Sequence, residues 1–174
     1  MSAHNGLLYR VLQPADAEVY ISLRLEALQA NPEAFLTTYE ETIRDENLVK
    51  TFQNRLSPNP NSCTMGAFHN GQLVGVATMI RDNRDKIRHK ASLVAVYTTE
   101  SHRGKGISKA LITQLIAKAK EMDGLEQINL TVWSDNVAAC RLYESLGFHP
   151  FGKEANAMKF KDKYWDETYM ALKL

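Results

Sequence analysis

Residues 101–108 read Ser101-His102-Arg103-Gly104-Lys105-Gly106-Ile107-Ser108, between an apolar run at 92–98 and a helical pattern at 106–122. Glycines at such a junction let the backbone pass a ligand without a Cβ in the way. The first N–H groups of a helix have no intrahelical partner, and they carry the positive end of the helix dipole. Arg103 and Lys105 add full positive charges. Together these features suit the binding of a pyrophosphate.

The spacing narrows which pyrophosphate. The pattern G-x-x-x-x-G-K-[ST] of ATP-binding loops fails, because Thr99 stands where the first glycine belongs and Gly106 follows Lys105. The dinucleotide pattern G-x-G-x-x-G fails as well, since its third glycine would be Lys109. A plain strand-to-helix turn, with glycines for tight packing alone, stays open on these residues.

A second cluster lies downstream. Asn136 and Tyr143 are separated by about 700° of helical rotation, close to two full turns, so they share a face. The small residues Ala139 and Cys140 lie between them and leave room for a ligand. Asn136 can cap the helix, contact a cofactor, or do both. Tyr143 can be an ordinary half-buried aromatic. Its phenol, with an ordinary pKa of about 10, can also donate a proton or hydrogen bond to a departing thiolate.

The elements that must hold these residues follow from periodicity. The pattern predicts a strand at 7–12 and a helix opening near Pro14 and Asp16, stopped by Asn31-Pro32. A second helix is expected at 40–52, and a turn-rich loop at 57–62. Strands at 65–69 and 72–80 flank Asn70-Gly71, a strong hairpin signal. A charged loop at 82–90 precedes the strand at 92–98. The helix at 106–122 carries an apolar stripe of Ile107, Leu111, Ile112, Leu115, Ile116 and Ala119. A strand at 127–133, a helix at 136–146 closed by Gly147, and strands at 148–151, 157–160 and 168–174 complete the chain. The crossover from 92 to 133 implies a parallel pair, and the hairpin implies antiparallel neighbours. The expected fold is α/β (α+β), one domain over 1–174, with a mixed sheet and helices on both faces.

On these two motifs the chain resembles the GNAT superfamily of acyl-CoA N-acetyltransferases. The family signature [QR]-x-x-G-x-[GA] is matched by Arg103-Gly104-Lys105-Gly106-Ile107-Ser108, with small Ser108 as a mild departure. The segment N-x-x-A-x-x-x-Y-x-x-x-G-F is matched by Asn136, Ala139, Tyr143, Gly147 and Phe148. The likeness covers residues 65–150 well and the front helices loosely. It implies a mostly antiparallel sheet whose one parallel pair splays apart. It implies cofactor contacts from Val94, Ala95 and Val96, from Arg103, Gly104, Lys105, Gly106, Ile107 and Ser108, and from Asn136 and Tyr143. It makes Tyr143 the general acid, acetyl-CoA the cosubstrate and an amine the acceptor.

Direct attack in a ternary complex requires the ammonium to lose a proton first. Some members of the family carry a Glu just before the apolar strand, but this chain has His89-Lys90-Ala91-Ser92 there. Glu40, Glu41, Glu100, Asp135, Asp166 and Glu167 are the remaining acids near expected site edges, each an ordinary surface charge by default. Glu40 and Glu41 stand where substrate-facing helices of the family run. The absent strand carboxylate leaves a rival reading, a non-catalytic acyl-CoA-binding or sensing module of the same fold. A nucleotide-binding protein is a second rival. An acyl-cysteine route through Cys140 lacks an activating neighbour in the sequence.

Composition excludes other classes. Among 174 residues 44% are apolar and 24% charged, with a net charge of +1, which argues against nucleic acid as the main partner. Cys63 and Cys140 form no CxxC and read as free thiols of a cytoplasmic chain. Histidines 4, 69, 89, 102 and 149 show no metal-ligand spacing, so no metal is expected. No apolar run has a membrane helix's length, and the first residues lack a signal peptide's pattern. A monomer or homodimer is expected.

Overall fold

The computed structural model describes residues 6–174; residues 1–5, His4 among them, lie outside the described residues. Strand β1 spans Leu7–Val11, followed by a 3-10 turn at Pro14–Asp16 and helix α1 at Ala17–Ala30. A second 3-10 turn, Pro32–Ala34, leads to α2 (Tyr39–Ile43) and α3 (Leu48–Leu56). Then come β2 (Ser62–His69), β3 (Gln72–Arg81), β4 (Lys90–Thr98), α4 (Ile107–Lys120) and β5 (Gln127–Trp133). Helix α5 (Val137–Ser145) and the strands β6 (His149–Phe160) and β7 (Lys163–Lys173) close the chain.

The seven strands form one sheet in the order β1-β2-β3-β4-β5-β7-β6. Every neighbouring pair is antiparallel except β4 and β5. That parallel pair is short: only Lys90, Ala91 and Ser92 align with Gln127, Ile128 and Asn129. The expected hairpin forms at Asn70-Gly71, both at positive φ (50° and 83°), the conformation a tight two-residue turn demands.

Alternation along β3 feeds two cores, one on each face of the sheet. Val74, Ala77 and Met79 join Leu111, Ile112 and Leu115 of α4, with Ile128, Leu130, Phe148 and Met170. Leu73 and Val76 join Tyr20, Leu23 and Ala27 of α1 and Phe52 and Leu56 of α3. Leu111 is wholly buried, so Leu111→Ala is expected to cost about 2–5 kcal/mol. At Gly75 the start of α4 comes so near that an added Cβ would lie 3.0 Å from Ile107 Cγ2. The backbone approach there sets where the phosphate-type turn sits.

Two expectations are corrected. The single helix at 40–52 is two helices. Thr38 starts α2 with a capping box, its hydroxyl accepting from Glu41 N–H (3.1 Å) while the Glu41 carboxylate accepts from Thr38 N–H (2.8 Å). Asp45 then breaks the run by accepting from Asn47 N–H (2.9 Å) and the Thr51 hydroxyl (2.7 Å), a local alternative to the helical ladder. The segments at 148–151 and 157–160 belong to one strand, β6. Its ladder with β7 jumps between Glu154/Glu167 and Met158/Trp165, leaving a bulge at Asn156 (φ 54°), whose N–H donates to Asp166 Oδ1 at 2.9 Å.

Candidate active site

Past Ser92 and Asn129 the two parallel strands are no longer paired. The edge of β4 that faces β5 therefore keeps backbone N–H and C=O groups without a strand partner. Ala95 sits in the left-handed region at φ 53°, where a non-glycine residue is strained by roughly 1–2 kcal/mol. It forms a bulge, since β4 pairs with β3 through Val94–Thr78 and Tyr97–Val76 on either side. The parted strands open a cleft of ≈ 770 Å³. Val94, Ala95 and Val96 form part of its wall.

The glycine turn forms another wall. Gly104 and Gly106 have φ of 74° and 76°, and nothing lies within 4 Å of where a Cβ would stand on either. Gly106 caps the start of α4. Among the described residues no backbone acceptor meets the N–H groups of Gly104 through Lys109; the first helical bond is Ala110 N–H to Gly106 C=O at 3.0 Å. That leaves six consecutive unpaired donors at the positive end of a 14-residue helix, a cradle for an anion. Ile107 buries its side chain in the core, so only its backbone is available to a ligand. Ser108 keeps its hydroxyl 2.9 Å from that of Thr98.

The basic residues of the turn are engaged within the protein. Arg103 lines the cleft, but its Nε donates to Thr98 C=O (3.1 Å) and its Nη2 to Asn31 Oδ1 (2.6 Å). The guanidinium lies 5.6 Å from the centre of the Tyr97 ring. The Tyr97 hydroxyl donates to Glu26 at 2.9 Å, and burial, followed by the nearby Glu26, pushes the phenol up to about 12. Lys105 donates to Ser101 C=O at 3.0 Å and lies outside the cleft wall. His102 joins the wall, with Nε2 3.0 Å from Nδ1 of His69. Desolvation, Lys105 and His69 hold His102 below the usual histidine range.

The far side of the cleft is α5. Asn136 lines the cleft and caps the helix, its Oδ1 accepting from Ala139 N–H at 3.1 Å. Tyr143 also lines the cleft and is 7% exposed, its ring edge-on to Phe148. Burial raises its phenol far above the ordinary value, so it is protonated at neutral pH. Burial and Glu144 raise the Cys140 thiol too, which disfavours the thiolate a covalent route needs.

Glu40 and Glu41 are not on the cleft wall. Glu40 lines a neighbouring cavity of ≈ 450 Å³, between the 3-10 turn after α1 and the β6–β7 hairpin. Glu41 spends its carboxylate on the capping box of α2. Of the other acids, Asp135 lines the cleft, and Asp166 pairs with Lys153 at 3.1 Å. Glu167 is raised by burial and by Glu154.

Sequence reasoning missed Asn31, Glu33, Phe35 and Trp133, all on the cleft wall. Asn31-Pro32 read only as a helix stop, and no spacing rule says where the turn after it will fold. Trp133 read as the end of a strand; its indole N–H is buried without a partner among the described residues.

Comparisons with known proteins identify the family and the fold. The family model described as Acetyltransferase (GNAT) family matches residues 25–148. The L-amino acid N-acetyltransferase AaaT of Escherichia coli K12 is 25% identical over 161 residues, covering 92% of this chain and 96% of that protein. A solved acetyltransferase of the GNAT family from Streptococcus pneumoniae superposes with a TM-score of 0.79 at 25% identity, covering 97% of this chain and 99% of that one. A putative acetyltransferase from Salmonella typhimurium, solved with its cofactor acetyl-CoA, shares the fold with a TM-score of 0.81 at 22% identity, over 96% and 93% of the two chains.

Proposed function

The chain belongs to the GNAT acetyltransferase family, and we propose that it passes the acetyl group of acetyl-CoA to a small primary amine by direct attack in a ternary complex. It is an acyl-CoA-dependent N-acetyltransferase, as its relatives are. The observation that carries the mechanistic reading is one cleft bounded by parted strands, an unpaired helix N-terminus and a protonated tyrosine.

The roles follow from chemistry. The free N–H groups of residues 104–109, offered without a Cβ at Gly104 and Gly106, hold the pyrophosphate. The open edge of β4 near Val94, Ala95 and Val96 takes the pantetheine arm, and its N–H groups stabilise the negative charge that develops on the acetyl oxygen. Tyr143 protonates the departing thiolate; a phenol held neutral by burial is a suitable acid for that step. Asn136 fixes the start of α5 and thereby the face that carries Tyr143.

The acceptor class rests on likeness. The AaaT relative matches nearly end to end and acts on L-amino acids by its name, so L-amino acids are the first acceptors for this chain. Two free cysteines and the use of acetyl-CoA support a cytoplasmic setting; no described helix is long and apolar enough to cross a membrane. β4 carries no carboxylate, so the base for the acceptor's proton comes from another element.

Calorimetric titration with acetyl-CoA, against CoA and ATP, tests the cofactor. Binding of the two CoA species without ATP, followed by thiol release with amino acids, is the expected result. Failure to bind acetyl-CoA would end this reading.

A further inference from the structure

The acceptor arrives as an ammonium ion, and β4 offers no carboxylate to meet it. We propose that Glu33 receives the acceptor's ammonium and takes its proton, while the acceptor's apolar side chain occupies the ≈ 450 Å³ cavity beside it. The inference rests on the acetyl-transfer reading and adds its missing base.

Position comes first. Glu33 lies on the 3-10 turn Pro32–Ala34, which packs against β5. Its side chain borders both the cleft and the neighbouring cavity, and among the described residues only Phe35 shares that position. No other carboxylate does. Asp135 borders the cleft alone, Glu40 the second cavity alone, and Glu41 is held in its capping box.

Orientation comes second. The Asn31 side-chain nitrogen donates to Glu33 Oε1 at 3.4 Å, while its Oδ1 accepts from Arg103 Nη2 at 2.6 Å. Both ends of the carboxamide are used, so its orientation is determined and Glu33 is steered from the glycine turn. Arg103 and Asn31 are thus positioning residues for Glu33. Among the described residues the other carboxylate oxygen meets no hydrogen-bond donor, which leaves it to a substrate.

The cavity supplies the third argument. Leu28, Phe35, Leu36, Met158, Phe160 and Trp165 supply an apolar and aromatic part of its wall, beside the charged Glu40, Lys159 and Lys161. A charged amine with an apolar side chain would put its ammonium at Glu33 and its tail among these residues. The step balances. The ammonium gives one proton to Glu33, which later passes to solvent. The amine lone pair forms the N–C bond, the C–S bond breaks, and Tyr143 protonates sulfur. The nitrogen loses its second proton as the amide forms, which restores the one Tyr143 gave.

The experiment compares two acceptors at neutral pH. L-phenylalanine carries an ammonium; its 2-aminooxy analogue carries a nitrogen that is already neutral. Glu33→Gln is expected to lower kcat/KM for L-phenylalanine by about 100-fold, within the range of a lost general base. For the aminooxy analogue the loss is expected to stay under about 5-fold, since no proton must leave before attack. Glu33→Asp should recover part of the loss, and Asn31→Ala should lose selectively in the same direction. Equal losses on both acceptors, or none on either, would overturn the assignment. A parent enzyme that binds acetyl-CoA but leaves L-phenylalanine untouched would also overturn it, with the cofactor reading intact. Absent acetyl-CoA binding in the parent would instead remove the acetyl-transfer reading on which it stands.

Discussion

Two turns of this chain place glycine at positive φ with open space where a Cβ would be. One is Asn70-Gly71, with Gly71 at 83°; the other holds Gly104 and Gly106 at 74° and 76°. Their backbone conformations are alike, and their surroundings are opposite. The hairpin turn joins two strands that pair up to its edge, at His69 and Gln72, so its geometry is used up in holding them. The second turn ends on a helix whose first N–H groups meet no backbone acceptor among the described residues. The strand before it repeats the lesson on its two edges: β4 is laddered to β3 along most of its length and to β5 for three residues only. Binding capacity in this fold is hydrogen-bonding capacity that the fold itself leaves unused.

The comparison can be broken by mutation. The largest expected effect is at the chemistry the open region serves. Tyr143→Phe should lower kcat by about 10²-fold or more while acetyl-CoA affinity stays nearly constant, read by thiol release and calorimetry. An unchanged kcat would remove Tyr143 as the acid.

The paired glycines come next. Gly106→Ala and Gly71→Ala should each cost about 1–2 kcal/mol of stability, because both positions require the left-handed region. Only Gly106→Ala should also weaken acetyl-CoA binding, by about tenfold or more, a loss of ~1.4 kcal/mol. Equal affinities in the two variants would mean that both turns are purely structural.

Arg103 sharpens the same contrast. Its guanidinium is bound to Thr98 and Asn31. Arg103→Ala should therefore lower stability by about 1 kcal/mol. Acetyl-CoA affinity should change less than in Gly106→Ala. A larger affinity loss would show that the side chain leaves Asn31 to hold phosphate.

The smallest effect lies far from the cleft. Asp16 accepts two hydrogen bonds from Arg10, at 2.7 and 2.8 Å, and Arg10 holds its carboxyl below the usual range. A lowered folded pKa stabilises the protein above the ordinary carboxylate pKa, and that contribution fades as pH falls through the lowered value. Asp16→Asn should cost about 0.5–1 kcal/mol at neutral pH. Denaturant titration should show parent and variant converging below about pH 4, near and under the ordinary Asp value. A constant gap down to pH 2 would assign the effect to packing.

Much of the fold was legible because it is written in short-range chemistry. Asn70-Gly71 predicted the hairpin, the stripe from Ile107 to Ala119 predicted the buried face of α4, and Gly147 ended α5 as expected. The helix at 40–52 misled because its apolar periodicity says nothing of Asp45, whose side chain takes the N–H groups a continuous helix would have used. The strands at 148–151 and 157–160 looked separate because a bulge at Asn156 hides their continuity.

The sequence alone determined the glycine turn and the helix face that joins Asn136 to Tyr143. Glycines, helix starts and the Asn136-to-Tyr143 spacing act within a few residues of one another, so their order in the chain is their order in space. Tertiary structure alone decided the opposite wall, where Asn31 and Glu33 lie. The placement of Asn31 and Glu33 near β5, the split of β4 from β5, and the cavity shared with Phe160 and Trp165 depend on contacts between residues far apart in the chain, from the Ser92–Asn129 strand pair to the Phe35 and Phe160 walls of one cavity. Packing sets those distances, and no local propensity encodes them. It is also packing that turned Arg103 from a free charge into the anchor of Asn31.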